Sequence, residues 1–478
     1  MSRPDAACVL SIEQECQTTL ESSEDGLSPS VFRMFFEEMA RLAPALRGAA
    51  GIFNGYGRVY VDTHAHLEFA FCECDDPYRL TQVVETQYDL ARRATEALVE
   101  RDVRMLLVNN NHCGLLRPDT VFWGTHENYL IEQPARTLRD LALPFLVTRT
   151  YAGSGGVLAP EARFLTGARH LAMRYPYDED GGAGRSVFST SREEHHLGPG
   201  DSRQRLHLLL GDGHRSQFNA ALHSGATALA LKAMQHDQEL PSFLSRVRLR
   251  NRREGWLDAL RRLNVLADPG APPRVPPASI EVQRIFLESA RRTVDAMNDP
   301  ATWMASILED WSSTLDAYER DDRGWLSARL DAFTKYELFT HYLGERGLSW
   351  VDAAEDIELL SELTLLDQDY HAISAPTSAF TELEARGLLE HRVAPRLEAG
   401  TEEDSFVPSV ATRARARARF IKEHAEEGRM RPDMVMSWEH AREERRVHLL
   451  HDPFGTEYRT TESTQPARQG IFDRLGML

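Results

Sequence analysis

Tyr60-Val-Asp-Thr-His-Ala-His-Leu-Glu68 is the stretch on which the fold turns. On a regular strand its polar residues Tyr60, Asp62, His64, His66 and Glu68 share one face, because side chains alternate with a period of two. The other face carries Val61, Thr63, Ala65 and Leu67, followed by Phe69, and suits a core. Such a strand belongs to a sheet packed on one side and open on the other. The open side meets either plain solvent or a ligand, and the row of acids and histidines is a candidate site.

Upstream, Val9-Leu-Ser-Ile-Glu-Gln-Glu repeats the alternation and puts Glu13 and Glu15 on one face. Two neighbouring carboxylates repel unless water or a cation separates them. Mg²⁺ suits such a pair because it is hard and takes oxygen ligands; two exposed glutamates on an edge strand are the alternative. Downstream, His126-Glu-Asn128 follows Gly124, and Arg192-Glu-Glu-His-His196 and Arg203-Gln-Arg-Leu-His207 flank a Pro-Gly turn. Arg192 and Arg205 are the expected phosphate contacts, since a guanidinium donates two bonds at once; a charged surface loop is the other reading. Gly153-Ser-Gly-Gly156 lacks the Lys-Ser/Thr ending of a phosphate-binding loop and reads as a tight turn. Cys72 and Cys74 have no second pair, which speaks against zinc. The alternating arginines Arg413, Arg415, Arg417 and Arg419 read as a solvated helix segment, with a local patch that grips phosphate or an acidic partner as the alternative.

Around these motifs, short strand-like runs mix with helical ones without a regular βαβ rhythm, so the expected class is α+β. Helices are predicted over Ser28–Leu46 and from about Leu80 to Glu100, and a buried strand at Arg104–Val108 leads into a polar loop, Asn109-Asn-Asn-His112. From Ser242 to Leu389 the pattern is mostly helical, interrupted by the prolines Pro269 to Pro277. A polar linker at Glu398–Asp404 precedes a small segment containing the strand-like Val447-His-Leu-Leu450. The 478 residues, 42% hydrophobic and 27% charged, are a globular composition large enough for more than one domain. A formal net charge of −18 argues against nucleic-acid binding. No apolar run approaches the ~20 residues that span a bilayer. The five cysteines do not form a disulfide framework, and no secretion signal opens the chain; a cytoplasmic location is expected.

In order along the chain, Glu13-Gln-Glu15, Asn54-Gly-Tyr-Gly-Arg-Val-Tyr-Val-Asp62, His66, Glu68, Glu73-Cys-Asp75 and His126-Glu-Asn-Tyr-Leu130 form a set. Leu143-Pro-Phe-Leu-Val-Thr-Arg149, Arg205-Leu-His-Leu-Leu-Leu-Gly-Asp212, Glu281-Val-Gln-Arg284, Leu366-Asp-Gln-Asp-Tyr370 and Asp452-Pro-Phe454 continue it. Together they resemble the Pup ligase and depupylase family of the glutamine-synthetase-like carboxylate–amine ligases. That resemblance implies a large catalytic domain over residues 1–400, with an antiparallel sheet packed by helices. It also implies a small C-terminal domain over 401–478 that contributes to the nucleotide site. It places Glu13, Tyr60 and Glu68 in a magnesium shell, Arg58 and Trp438 against ATP, and Asp62 at the catalytic aspartate. His64 has no role in it and reads as a polar neighbour.

The spacing from Asp62 to His66, and the short stretch between Glu15 and Tyr60, look like the ligase branch. Phe71 stands where those ligases carry a nucleotide-holding threonine, and Phe122-Trp-Gly-Thr125 stands where they carry Ser-Tyr-Gly-Cys. The expected function is therefore an ATP- and Mg²⁺-dependent ligase. It joins a glutamate-type carboxylate, on Pup, another small protein or a free metabolite, to an amine through an acyl phosphate. A hydrolase on the same scaffold is the alternative. A further one is an inactive module that binds a Pup-like tail, against which Glu13, Glu68 and Asp62 speak.

Overall fold

The structure is a computed structural model that describes residues 7–22, 29–62, 66–117, 119–178, 185–189, 202–249, 255–264, 268–393, 406–425, 434–443 and 446–462. The sequence readings of His64, of Arg192 and its neighbours, and of the linker at 398–404 lie outside them.

The strands are β1 (Leu10–Ser22), β2 (Ala45–Gly48), β3 (Gly51–Asn54), β4 (Gly57–Val61), β5 (Leu67–Phe71), β6 (Val103–Val108), β7 (Thr125–Ile131), β8 (Gly156–Leu158) and β9 (Arg163–Leu165). They continue as β10 (Tyr175–Asp178), β11 (Ser186–Ser189), β12 (Gln204–Gly211), β13 (Met434–Met436), β14 (His440–Glu443), β15 (Arg446–Leu449) and β16 (Arg459–Glu462). Fourteen of these form one sheet, in the order β10-β11-β12-β7-β1-β5-β4-β3-β2-β13-β14-β15-β16, with β6 joined to β1. Pairing is antiparallel except at β10–β11 and β13–β2, so the expected antiparallel sheet carries two parallel junctions.

The decisive stretch is not one regular strand. It breaks into β4 and β5, which pair as a hairpin with Tyr60 opposite Glu68 and Val61 opposite Leu67. The Asp62 N–H donates to the His66 carbonyl at 3.0 Å and closes the turn. Tyr60 and Glu68 still share a face, but across two strands, since opposed residues of an antiparallel pair point the same way. The other face behaves as expected: Val59, Leu67, Phe69 and Phe71 are buried.

Behind that face lie the helices Pro29–Leu42, Pro77–Val99 and Gln217–His236. The first two were expected over Ser28–Leu46 and Leu80–Glu100; the capping carboxylate of Asp76 accepts from the Tyr78 and Arg79 N–H groups and starts the second earlier. The helix Gln217–His236 is buried along nearly its whole length, with Pro277–Asp295 and Thr302–Arg320 packed around it. Gly225 permits this: a Cβ there would collide with Ile307. β6 differs from the buried strand expected, because Arg104 and Leu106 are exposed between Val103, Met105 and Leu107. The loop after it is polar but fully buried, and two of its asparagines bond to the chain around them: Asn109 Nδ2 donates to the His214 carbonyl at 3.1 Å and Asn111 Nδ2 to the Trp123 carbonyl at 3.0 Å.

The C-terminal strands β13–β16 extend the same sheet through β13 on β2. The helix Arg413–His424 covers β2 and β3, where Leu46, Phe53, Phe420, Ile421, Met434 and Met436 form a separate small core. The solvated reading holds for the exposed Arg419 but is overturned for Arg413 and Arg417. Arg413 and Arg417 stand four residues apart on one helix face and are 5% and 1% exposed. Arg413 Nε donates to Glu73 at 2.8 Å, and the Arg417 guanidinium grips both oxygens of the same carboxylate at 2.7–3.0 Å.

Directly behind β7, Glu127 takes a two-pronged ion pair from Arg149 at 2.6 and 2.7 Å, and both side chains are shielded from solvent. Burial alone would raise this carboxyl, but the charges of Arg149 and His223 hold it well below the usual range. Removing one member of such a pair strands the other charge in the interior. Glu127→Gln should therefore cost about 3–5 kcal/mol in equilibrium urea unfolding, and Glu127→Leu with Arg149→Met should cost less than either single change.

Candidate active site

Registers across five strands assemble one polar surface on the open face. β1 sets Glu13 opposite His126 of β7 and Ala70 of β5, and Glu15 opposite Glu68. β12 sets His207 opposite Asn128 of β7, with Arg205 two residues before it on the same face. β4 brings Arg58 and Tyr60. Period-two alternation on each strand thus delivers Glu13, Glu15, Arg58, Tyr60, Glu68, His126, Asn128, Arg205 and His207 to one side.

Glu13 is the centre of the first group. Asn128 Nδ2 donates to it at 3.1 Å, Arg205 lies 3.5 Å away, and His126 Nδ1 lies 3.6 Å away. Burial would raise its carboxyl, but the His126 hydrogen bond and the His207 and Arg205 charges hold it well below the usual range. Gly124 leaves room for this arrangement, since a Cβ there would collide with the His126 ring.

Glu15 is the centre of the second. The Gly124 N–H donates to it, and His66 Nε2 lies 3.9 Å away. His66 Nδ1 lies 3.3 Å from Asp62, so one imidazole links the aspartate to the glutamate. Burial opposes ionisation of Glu15 too, yet His66, His126 and the Arg169 charge bring it down to about 2.

Glu68 goes the other way. Burial and the neighbouring charges of Glu13 and Glu15 push its carboxyl well above the usual range, although the Tyr60 hydroxyl donates to it. Burial and Glu68 in turn raise the Tyr60 phenol, which stays neutral. The Arg58 guanidinium lies 3.8 Å from the centre of the Tyr60 ring.

Two sets of ligand atoms fall within 4.8 Å of one another: Glu13, His126 and His207, and Glu15, Asp62 and His66. The buried carboxylates fit a divalent cation, whose charge would relieve the repulsion that lifts Glu68. Of the expected magnesium shell, Glu13 belongs to the first set, while Tyr60 and Glu68 lie beside both. Sequence reasoning paired Glu15 with Glu13 as a magnesium candidate, but did not name His66, His126 or His207 as possible ligands. A signal was present for one of them: extending the alternation from Arg205 names His207 on the same face. Arg169 it missed altogether, because this arginine is 3% exposed and stands on a helix of only four residues, Arg169–Ala172, its Nε donating to the Leu209 carbonyl.

Trp438 is set edge-on to Phe53, 5.2 Å between ring centres, and the Arg417 guanidinium lies 4.7 Å from the centre of its ring. Phe53 also has the Arg58 guanidinium 5.8 Å from its centre, so the two expected nucleotide contacts meet the same ring. Phe71 points the other way, into the core against Phe69 and Tyr88. Its replacement of a threonine therefore leaves the polar face unobstructed.

The family model described as Pup-ligase protein matches residues 15–442. Among curated relatives, the Pup–protein ligase of Brachybacterium faecium is 29% identical over 449 residues, covering 88% of this chain and 88% of the relative. That of Corynebacterium jeikeium is 28% identical over 385 residues, covering 76% and 77%. Of solved structures, the complex between prokaryotic ubiquitin-like protein Pup and its ligase PafA superposes with a TM-score of 0.69 at 22% identity, over 98% of this chain and 92% of that one. PafA in complex with ADP gives 0.64 at 22% identity, over 91% and 94%. The expected fold is borne out. Among the described residues no helix is long and apolar enough to cross a membrane.

The repulsion among Glu13, Glu15 and Glu68 predicts a reversal of stability order. In chelator, Glu68→Gln should melt at the same temperature as the parent chain or higher. With millimolar Mg²⁺ the parent should gain several degrees and the variant little, because ligand binding to the native state stabilises it by mass action. Thermal melts of both proteins in both buffers measure this; an equal magnesium shift in the two would remove Glu68 from the cation site.

Proposed function

This chain belongs to the Pup ligase family, and we propose that it uses ATP to join a glutamate-type carboxylate of Pup, or of a Pup-like small protein, to an amine. The observation that supports this most directly is Asp62, held 3.3 Å from His66 at the edge of the carboxylate cluster. An aspartate there meets both a phosphoryl group bound over the cluster and an amine arriving from the open face.

A carboxylate is a poor electrophile, so in this reading its oxygen first attacks the γ-phosphorus and ADP leaves. The amine nitrogen then attacks the acyl carbon, its proton passes to a base, and phosphate departs with the C–O bonding pair. Arg205 offers its guanidinium to the phosphates beside Glu13, and Arg169, whose charge reaches Glu15, offers a second. Arg192 is retained as a further phosphate contact. Asp62 serves as the base: a lysine amine is protonated at neutral pH and needs an acceptor within reach. His66 holds Asp62 in place through its 3.3 Å contact. Glu13, Tyr60 and Glu68, with Glu15, would hold magnesium, which offsets charge on the phosphates.

Arg58 and Trp438 form the nucleotide end, around Phe53. In this reading the C-terminal segment that carries Trp438 contributes to that end, and the helix Arg413–His424 packs over β2 and β3 beside it.

Asp62→Asn should lower conjugate formation by about 10²–10⁴-fold while Mg·ADP affinity stays near that of the parent. The assay combines the chain with Pup, ATP and a protein acceptor, and counts ADP against isopeptide bonds. One ADP per bond supports the ligase. Amide cleavage without ATP turnover, or steady phosphate release without conjugate, would replace it with a hydrolase.

A further inference from the structure

We infer that Arg417 is a positioning residue for nucleotide recognition, orienting the Trp438 indole from beneath while never touching the ligand itself. The inference rests on the reading of Trp438 as the aromatic platform for the base.

Two separate elements converge on this indole. Phe53 of β3 meets it edge-on at 5.2 Å, and Arg417, from the helix Arg413–His424, lies 4.7 Å from its ring centre. Trp438 itself sits between β13 and β14. Arg417 is 1% exposed, so a ligand entering from solvent cannot reach it. Any effect it has on a nucleotide passes through the indole.

The chemistry of the cluster explains why this position carries an arginine. Glu73 has one negative charge, and both Arg413 and Arg417 bond to it. Burial lowers the affinity of the Arg417 guanidinium for its proton, and Glu73 together with Glu439 works against that loss. The electron-rich face of the indole is a further partner suited to a planar cation. A flat guanidinium bound at both oxygens of a carboxylate has a fixed plane, and a ring packed on that plane inherits its orientation. An ammonium in the same place keeps the charge but fixes no plane.

The anchor point matters as well. Glu73 follows β5, the strand that carries Glu68, by two residues. The Thr412 hydroxyl donates to the Glu73 carbonyl at 2.6 Å, and the Arg413 NH1 group donates to the Leu450 carbonyl at 3.2 Å. Arg417 therefore refers the indole to the strand bearing the acidic cluster, so that the base end and the phosphate end keep a fixed separation.

The test is calorimetric titration of Mg·ADP into the full chain and into Trp438→Ala, Arg417→Lys and the double variant, with a thermal melt of each. Trp438→Ala should weaken ADP about tenfold, the worth of one aromatic stacking contact. Arg417→Lys should weaken it about fivefold, while the double variant should be no weaker than Trp438→Ala alone. In the ligation assay, Arg417→Lys should raise KM for ATP and leave kcat within about twofold, a split that loss of global stability would not produce. If Trp438→Ala binds ADP normally, the platform reading itself is wrong. If Trp438→Ala weakens ADP but Arg417→Lys does not, the platform stands and the positioning role is overturned. Additive losses in the double variant overturn it too, since Arg417 would then act independently of the indole. Should Arg417→Lys fail to fold, Glu73→Gln loosens the same guanidinium. It is expected to weaken ADP severalfold in the parent and not in Trp438→Ala, and unchanged affinity in both would overturn the inference.

Discussion

The repulsion among Glu13, Glu15 and Glu68 is the constraint around which the site is organised. Strand register places all three acids on one face of β1 and β5, and a slip of one residue would send every one of them into the core. Each is answered differently. Glu13 receives Asn128, Arg205 and His126; Glu15 receives a backbone N–H and His66; Glu68 receives the Tyr60 hydroxyl, a weaker counterweight. The compensation is therefore uneven, and the deficit sits at Glu68. That unevenness is what a cation-binding site needs: enough partners to hold the carboxylates in place, too few to neutralise them.

Holding polar side chains on the open face requires a rigid back. β7 shows how this is met, because it is polar on both sides. His126 and Asn128 face the site, whereas Glu127 between them faces the helices and is locked by Arg149 and His223. Arg149 also donates to Thr227 on the central buried helix at 2.8 Å. From His223 the contacts run on through His214 at 3.0 Å to Asp331, again at 3.0 Å. A buried network of this kind tolerates few alternative arrangements, since any shift of β7 leaves charges unpaired in a low-dielectric interior. The helical layer thereby fixes the positions of two side chains it never touches.

Alternation made the face legible from sequence, and the limits of that rule explain what was missed. Period two correctly grouped Glu13 with Glu15 and Tyr60 with Glu68, even though the second pair is related by a hairpin and not by one strand. It could not show that β1 lies between β5 and β7, because pairing order is set by packing far along the chain. His126 and His207 thus reached Glu13 through strand neighbours that local pattern does not reveal. The arginine-rich helix failed for a different reason. Alternate positions look solvated in sequence, yet helical geometry brings Arg413 and Arg417 together, and a single buried carboxylate from a distant strand end decides that they face inward. Arg169, on a helix of four residues, and the buried asparagine loop belong to the same class: segments too short or too irregular for a periodicity to be read.

The sequence departures from the ligase pattern can now be ranked by where they point. Phe71, the most conspicuous on paper, lies in the core and stacks near Phe69 with 6.2 Å between ring centres, so it leaves the polar face as it was. Phe122 is buried as well. Trp123 is different: its ring meets His66 edge-on at 6.3 Å, and its backbone N–H donates to the Asn111 carbonyl at 3.1 Å. His66 is the residue that joins Asp62 to Glu15. A large ring against that imidazole restricts its rotation. Among the altered positions that the described residues include, Trp123 therefore has a physical route to Asp62, through its contact with His66.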